Sequence, residues 1–163
     1  MDIRAETTSD QPAITSLTTE AFRLAEHSSG QEARIINDLR KAGDLTLSLV
    51  CDIAGTVVGH VAFSPVKIAG EDMDWYGLGP LSVSPKWQRR GIGGALVREG
   101  LFQIKALGAQ GCVVLGDPKY YARFGFLPEE GLTLDGPPPE YFQALSFGDT
   151  TPEGAVTYAP AFA

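Results

Sequence analysis

Apolar residues recur at spacings of three and four in three stretches of the chain, which predicts three amphipathic helices. The first helix is expected to begin near Asp10 and Pro12, because a polar cap followed by proline favours a helix start. The second follows a capping-box pattern, Ser29-Gly30-Gln31-Glu32, and should end at Gly43. The predicted buried faces comprise Ile14, Leu17, Ala21 and Leu24; Ile35, Ile36 and Leu39; and, in the third helix, Ile92, Leu96, Val97, Leu101, Ile104 and Leu107.

Runs rich in valine, leucine and phenylalanine predict β-strands around these helices. Residues 45–53 and 56–66, split by Ala54-Gly55, predict a β-hairpin. Residues 75–83 predict a strand with a bulge or splay at Gly79-Pro80, because proline removes a hydrogen-bond donor from the ladder. The other predicted elements are strands at residues 1–7, 111–115, 132–134 and 142–147, a short helix at 118–123, and a loop-like tail at 148–163 anchored by Val156, Tyr158 and Phe162.

The order of these elements predicts an α/β fold with a mixed sheet. The strand–helix–strand unit between Trp75 and Leu115 implies at least one parallel pair of strands. The sequence contains no internal repeat and no long linker, and 163 residues can form one substantial core. We therefore expect a single domain over residues 1–163.

Composition excludes several classes of partner. A net charge of −7 argues against a nucleic-acid binder, because phosphate backbones require a basic footprint. No apolar run approaches the length of a membrane span, and the polar N-terminus does not resemble a signal peptide, so we expect a cytoplasmic protein with no membrane partner. Cys51 and Cys112 lie in apolar runs and are expected to be buried, reduced thiols; two cysteines and two histidines at wide spacing predict no metal site.

Several glycines stand at the predicted start of the longest helix, in the run Gln88-Arg89-Arg90-Gly91-Ile92-Gly93-Gly94-Ala95-Leu96. Uncovered N–H groups and the helix dipole at such a start favour a phosphate-bearing ligand. Lys86, Arg89 and Arg90 add a local positive patch, which suits one small polyanion. The pattern fits a dinucleotide fingerprint poorly, because Leu96 occupies the third glycine position and the segment 84–89 is too long for the tight turn of that motif. Asp117 could imitate the ribose-binding acid of the fingerprint, or it could merely cap the helix at Pro118. A phosphate-loop NTPase is excluded because the G-K-[ST] motif is absent.

The residues from Gln88 to Gly93 fit the Q/R-x-x-G-x-G/A signature of the Gcn5-related N-acetyltransferases (GNAT), and the chain resembles that superfamily elsewhere too. Val83-Ser84-Pro85 is similar to the strand end and turn before the signature loop. Tyr121-Ala122-Arg123-Phe124-Gly125-Phe126 resembles the family element Y-x-x-x-G-F. Residues 60–66, 77–81 and 115–121 look like a bacterial subgroup of predicted N-acetyltransferases. The order and spacing of these stretches make the resemblance specific.

The resemblance implies a GNAT-like fold: a mixed, mostly antiparallel central sheet with a splayed parallel strand pair and flanking helices. It implies an N-acetyltransferase that uses acetyl-CoA as co-substrate, needs no metal, and acetylates a primary amine of a small molecule or a protein by direct transfer in a ternary complex. The residues that it assigns to acetyl-CoA are Leu81, Ser82, Val83, Gln88, Arg89, Arg90, Gly91, Ile92, Gly93, Gly94 and Ala95. The exposed N–H of Val83 is the expected oxyanion donor.

Tyr121 matches the family tyrosine that protonates the leaving thiolate, with Tyr120 as its neighbouring rival. An unperturbed phenol has a pKa of about 10 and a thiol one of about 8.5, so proton transfer to the thiolate is mildly uphill. The expectation is that the site lowers the tyrosine pKa or that a hydrogen bond to the thiolate suffices. Either tyrosine could instead pack the short helix against the sheet.

The general base stays open between Asp74, His60, Glu32 and a relay of water molecules, with His27 as a candidate near the acceptor site. His60 alternates with Val58, Ala62 and Ser64 and could simply be a packed core residue.

Two other functions remain compatible with the sequence. One is a catalytically inactive module that binds or senses CoA, which would keep the glycine loop without turnover. The other is an NAD-binding protein, which a comparison of thermal shifts with NAD and acetyl-CoA would distinguish. The identity of the amine acceptor and the oligomeric state, a homodimer included, are left open by the sequence.

Overall fold

The computed structural model describes residues 1–25 and 28–163, which contain four helices and eight strands. The helices are α1 (Gln11–Phe22), α2 (Glu32–Ala42), α3 (Ile92–Ala106) and the single turn α4 (Pro118–Tyr121). The strands are β1 (Asp2–Ala5), β2 (Leu47–Ile53), β3 (Thr56–Ile68), β4 (Glu71–Val83), β5 (Gly111–Leu115), β6 (Leu132–Thr133), β7 (Phe142–Ser146) and β8 (Gly154–Thr157).

One open sheet organises the chain in the order β1-β2-β3-β4-β5-β7. All neighbours along this path are antiparallel except β4 and β5, which are parallel and joined by α3. β8 pairs antiparallel with the end of β3 and parallel with β6. The predicted fold class, a mostly antiparallel sheet with a parallel pair and flanking helices, is confirmed.

β4 separates from β5 halfway along its length. The two strands pair from Trp75 opposite Gly111 to Leu78 opposite Val114, and beyond Leu78 β4 has no strand partner on that side among the described residues. Immediately after Leu78, the register between β3 and β4 shifts, and Gly79 takes a φ of 138°, a conformation that favours glycine. The expected bulge and splay at Gly79-Pro80 are therefore present, and they open a gap between β4 and β5.

The helices cover opposite faces of the sheet. α3 packs on one face, where its residues Leu96 and Val97 join Val61 and Phe63 of β3 in the largest core cluster. α1 and α2 pack on the other face, where Ile14 and Ile36 contact Val50 of β2. Within the described residues, no helix has both the length and the apolar character that a membrane crossing requires.

Several local predictions differ from the structure. Leu24, predicted on the buried face of the first helix, lies beyond the end of α1 and is 88% exposed. Leu107 is 66% exposed, because α3 ends at Ala106 and the chain turns at Gly108. The predicted loop-like tail contains β8, since its residues find partners on strands far away in sequence. Its predicted anchors hold: Val156 and Tyr158 pack into the core, and Phe162 packs against α2. Both cysteines are buried and free, as expected.

Candidate functional site

The glycine-rich loop leads from the end of β4 to the first turn of α3. A 3₁₀ turn at Pro85–Trp87 follows β4, and the chain then takes positive φ at Arg89 (64°) and Gly91 (80°) before α3 begins at Ile92. Successive N–H groups near such left-handed residues turn toward a common side and form a concave anion site. The loop is therefore shaped as a main-chain cradle.

The cradle carries unused hydrogen-bond donors. Within the described part of the chain, the N–H groups from Gln88 to Gly94 have no acceptor, and the first helical bond of α3 is donated by Ala95 to the carbonyl of Gly91. These donors sit at the positive end of a helix of 15 residues. Both features favour an anionic ligand such as a phosphate.

The surrounding cations are not neutralised by carboxylates. Lys86, Arg89 and Arg90 are exposed, and none of the three forms an ion pair with a described residue. The Arg90 guanidinium lies 5.0 Å from the centre of the Trp87 ring, which orients it beside the loop. The loop therefore combines main-chain donors with exposed positive charge.

The free edge of β4 continues this donor surface. The N–H of Ser84 donates to Val58 of β3 at 2.8 Å, so alternation along the strand directs the main-chain groups of Leu81 and Val83 to the opposite edge, which faces the gap. Consistent with this, the Val83 carbonyl accepts a hydrogen bond from Nε2 of Gln88 at 3.1 Å. Ser82 differs from its neighbours, because its main chain faces His60 of β3 and its hydroxyl is buried.

Tyr120 closes the cradle from the side of α4. Asp117 caps this turn by accepting a hydrogen bond from the N–H of Lys119 at 2.9 Å, so its role is structural. A Cβ atom on Gly93 would lie 2.8 Å from the Tyr120 hydroxyl and 3.7 Å from a methyl group of Val83. The start of α3, the end of β4 and α4 therefore meet at one point, which only a residue without a side chain can occupy.

Tyr121 lies deeper than Tyr120. Its ring packs edge-on against Tyr120 and Phe126, with centroid distances of 5.0 and 6.0 Å, and contacts Gly116 after β5. Burial, followed by the nearby Tyr120 and Cys112, raises the pKa of Tyr121 above its ordinary value. The phenol therefore keeps its proton and is suited to donating a hydrogen bond.

Among the other candidate bases, Asp74 lies apart from this site and Glu32 is engaged in local hydrogen bonds. Asp74 is at the far end of β4, nine positions before Val83, or roughly 30 Å in an extended strand. Glu32 accepts hydrogen bonds from the N–H and the hydroxyl of Ser29 and so stabilises the start of α2. His27 lies outside the described residues.

His60 is fully buried within the sheet. Its Nε2 lies 2.8 Å from the Ser48 hydroxyl, and its Nδ1 has no hydrogen-bond partner among the described residues. Burial lowers the pKa of His60 to about 4; Glu6 opposes this shift and Arg40 adds to it. The imidazole is therefore neutral at pH 7.

A polar network behind His60 was missed in the sequence. Ser48 donates to the carboxylate of Glu6, which also accepts two hydrogen bonds of 2.9 Å from Arg40. Burial raises the pKa of Glu6, but the bonds from Arg40 and Ser48 outweigh it and hold the pKa below its ordinary value. Glu6, Ser48 and Arg40 line an open cavity of about 310 Å³. The sequence did carry a signal for this network, because the alternation of the two strands places Ser48 and His60 at inward positions that are otherwise apolar.

Comparisons with known proteins agree with this arrangement. A family model described as "Acetyltransferase (GNAT) domain" matches residues 44–128. The uncharacterized N-acetyltransferase YhbS of Escherichia coli K12 is 45% identical over 127 residues, or 77% of this chain and 73% of the relative. A GNAT family acetyltransferase from Brucella melitensis, solved in complex with acetyl-CoA, is 48% identical, with a TM-score of 0.90 over 99% of this chain and 97% of its own. The Escherichia coli YhbS structure in complex with CoA gives 39% identity and a TM-score of 0.91, covering 99% and 91%.

Proposed function

The chain belongs to the GNAT family of acetyltransferases, and from this membership we propose that it transfers the acetyl group of acetyl-CoA directly to a primary amine within a ternary complex. The observation that carries the proposal is the continuity of two donor surfaces: the N–H cradle at residues 88–94 and the free edge of β4 at Leu81 and Val83. The first suits a pyrophosphate and the second suits the amide groups of a pantetheine arm. Their junction matches a ligand that carries both.

In this proposal the acceptor nitrogen attacks the thioester carbonyl beside β4. The N–H of Val83 points into the gap and stabilises the oxyanion as the tetrahedral intermediate forms. The carbon–sulfur bond then breaks, and Tyr121 donates a hydrogen bond to the departing thiolate. Since burial raises the pKa of Tyr121, hydrogen bonding stabilises the thiolate without full proton transfer.

Paired substitutions test the tyrosine assignment. We expect Tyr121→Phe to lower kcat by about 10²-fold with little change in the KM for acetyl-CoA, because the hydroxyl acts on the leaving group. Tyr120→Phe removes a hydroxyl that contacts the cradle, and it should chiefly alter acetyl-CoA binding. Steady-state kinetics with release of free thiol as the readout measure both. The reverse pattern would transfer the acid role to Tyr120.

A binding experiment tests the donor site independently of turnover. We expect isothermal calorimetry to detect acetyl-CoA and CoA but not NAD, and Gly93→Ala to weaken both CoA ligands at least tenfold because its Cβ would meet the Tyr120 hydroxyl. Glu99→Gln, a change on the same helix outside the loop, serves as the control. Unaltered affinity in Gly93→Ala would contradict the assigned cradle.

A panel of amines with acetyl-CoA tests the reaction itself. Acetylation of at least one primary amine, with no exchange of label between acetyl-CoA and free CoA in the absence of an amine, supports direct transfer. Tight CoA binding without turnover on any small amine or peptide would instead identify a CoA-binding module.

A further inference from the structure

His60 lies on the same side of the sheet as α1 and α2, one strand away from the donor edge. Its neighbour on β2 is Val50, which packs against both helices, and its neighbour on β4 is Ser82. Side chains of directly opposed residues in an antiparallel pair share a face and lie about 5 Å apart at Cβ. Ser82 therefore shares a face with His60 and lies in the chain between Leu81 and Val83, whose main-chain groups border the gap.

Unpaired hydroxyl groups are concentrated on this face. Ser64 follows His60 on β3 with the same alternation, and Thr18 belongs to α1, which packs on β3 and β4. The hydroxyls of Thr18, Ser64 and Ser82 are buried and have no hydrogen-bond partner among the described residues. Buried polar groups are normally satisfied by protein, internal water or a ligand. The face between α1 and β4 is therefore able to accept and donate hydrogen bonds.

The network on the other side of His60 fixes its tautomer. A carboxylate only accepts hydrogen bonds, so the Ser48 proton goes to Glu6 and the Ser48 oxygen is left to accept from His60. Nε2 of His60 must then carry the ring proton, and Nδ1 is left with a free lone pair. Arg40 holds the Glu6 carboxylate with two hydrogen bonds of 2.9 Å, which keeps it ionised and in place.

We propose that Glu6, acting through Ser48, holds His60 as the Nε2–H tautomer so that Nδ1 accepts the proton released by the acceptor amine, with the Ser82 hydroxyl passing it on. This inference rests on the proposed acetyl transfer. Glu6, Ser48 and Arg40 are positioning residues, since none of them belongs to β4 or to the cradle; Ser82 belongs to the strand that carries the donor edge.

The proton and electron balance of the step is complete. The amine nitrogen forms a bond to the acetyl carbon, and the electron pair of the carbon–sulfur bond leaves with the sulfur as thiolate. Nδ1 of His60 and the Ser82 hydroxyl are not hydrogen-bonded to each other in this structure, so the Ser82 side chain must first rotate toward His60. The N–H proton then passes to the Ser82 oxygen while the Ser82 proton passes to Nδ1 of His60. The resulting imidazolium, opposite the Glu6 carboxylate, returns its proton to solvent by the same route after the product leaves.

Nuclear magnetic resonance tests the tautomer without requiring activity. The ¹⁵N chemical shift separates protonated from unprotonated ring nitrogens, and with two histidines in the chain the His60 signals can be identified by comparison with His60→Gln. We expect Nε2 protonated and Nδ1 unprotonated at pH 7, with the pattern reversed in Glu6→Gln because an amide donates to Ser48. Asp38→Asn, the same kind of change on a partly exposed residue of α2 that pairs with Arg34, should leave the pattern unaltered. A protonated Nδ1 in the wild-type protein would overturn the proposal.

Kinetics then test the use of that lone pair. Glu6→Gln, Ser48→Ala and His60→Gln should each lower kcat about 10²-fold with an unchanged KM for acetyl-CoA, while Ser48→Thr, which keeps the hydroxyl, should retain most of the activity. Full kcat in His60→Gln would overturn the base role while leaving acetyl transfer intact. Absence of turnover in the wild-type protein would instead overturn the proposed function, and the base role with it, whatever the tautomer.

Discussion

At the scale of single residues, the molecule keeps one titratable ring in its interior. His60 is 0% exposed, and burial is the largest cause of its lowered pKa and hence of its neutral form. A buried neutral histidine lowers the free energy of unfolding at low pH, because the histidine binds a proton in the unfolded chain but stays neutral in the folded chain. Any role for His60 in proton transfer therefore brings acid sensitivity with it.

We predict a loss of stability between pH 6.5 and pH 4 that belongs to His60. The folded pKa of about 4 lies below the unfolded value of 6.5, so the stabilisation is present above pH 6.5 and is lost as the pH falls. Between pH 7 and pH 5 the loss should amount to about 2 kcal/mol. Urea unfolding at both pH values measures it.

The His60→Gln variant provides the comparison. Glutamine does not titrate, so the difference between wild type and variant should shrink as the pH falls from 7 to 5. Glu6 and Asp10 do not contribute to this change, because their pKa values are both lowered and they are protonated below pH 5. An identical pH dependence in both proteins would show that the stability loss has another origin.

At the scale of elements, α3 meets two requirements that place opposite demands on its residues. Its first turn must expose N–H groups, and its middle must approach the sheet closely. Gly100 allows the close approach, because a Cβ there would overlap the ring of Phe63 on β3. Gly100 therefore lowers the intrinsic helix propensity of α3 but allows a large aromatic ring to pack beneath the helix.

Gly100→Ala should destabilise the protein by about 1–2 kcal/mol, although the same change in an open helix gains about 1 kcal/mol. Gly94→Ala is the matched comparison, because its Cβ would approach the end of the flexible Arg98 side chain at 3.0 Å and make an ordinary contact of 3.8 Å with the Phe124 ring. We expect no loss of stability in Gly94→Ala. Chemical unfolding of both variants decides the matter, and equal stability of the two would contradict the packing argument.

Elements whose pattern is local were predictable from the sequence, while those that depend on distant partners were not. The periodicity of α3 and the turn at Ala54-Gly55 identified a helix and a hairpin, and the proline at position 80 located the splay. β8 escaped because two residues of β3 and two of β6 supply its ladder. The Glu6–Ser48–His60 contacts escaped for the same reason, since they join residues 42 and 12 positions apart.

At the scale of the whole molecule, the C-terminal segment links regions that are otherwise far apart. Val156 of β8 joins the second core cluster, Tyr158 lies over Gly77 of β4, and Phe162 packs against α2. The segment therefore connects the strand that carries the donor edge with a helix on one face of the sheet.

Truncation after Glu153 should lower the free energy of unfolding by more than about 3 kcal/mol, because the buried Val156, the partly buried Tyr158 and a strand are removed. Removing Ala163 alone is the control, since this residue is exposed. Urea titrations followed by circular dichroism compare the two proteins. A truncated chain with an unchanged midpoint would show that the tail contributes nothing to the fold.

The early end of the β4–β5 ladder has a mechanical consequence. β5 and β7 form a wing of the sheet. Among the described strands, this wing is paired with the rest of the sheet through the ladder from Trp75 to Leu78 of β4, and α3 connects the two parts along the chain. A ligand bound along the free edge of β4 would connect this wing with the rest of the sheet, as an added strand would. We therefore expect CoA to slow amide hydrogen exchange in β5 and β7, so that the hinge between the wings stiffens each time the donor binds and loosens when it leaves.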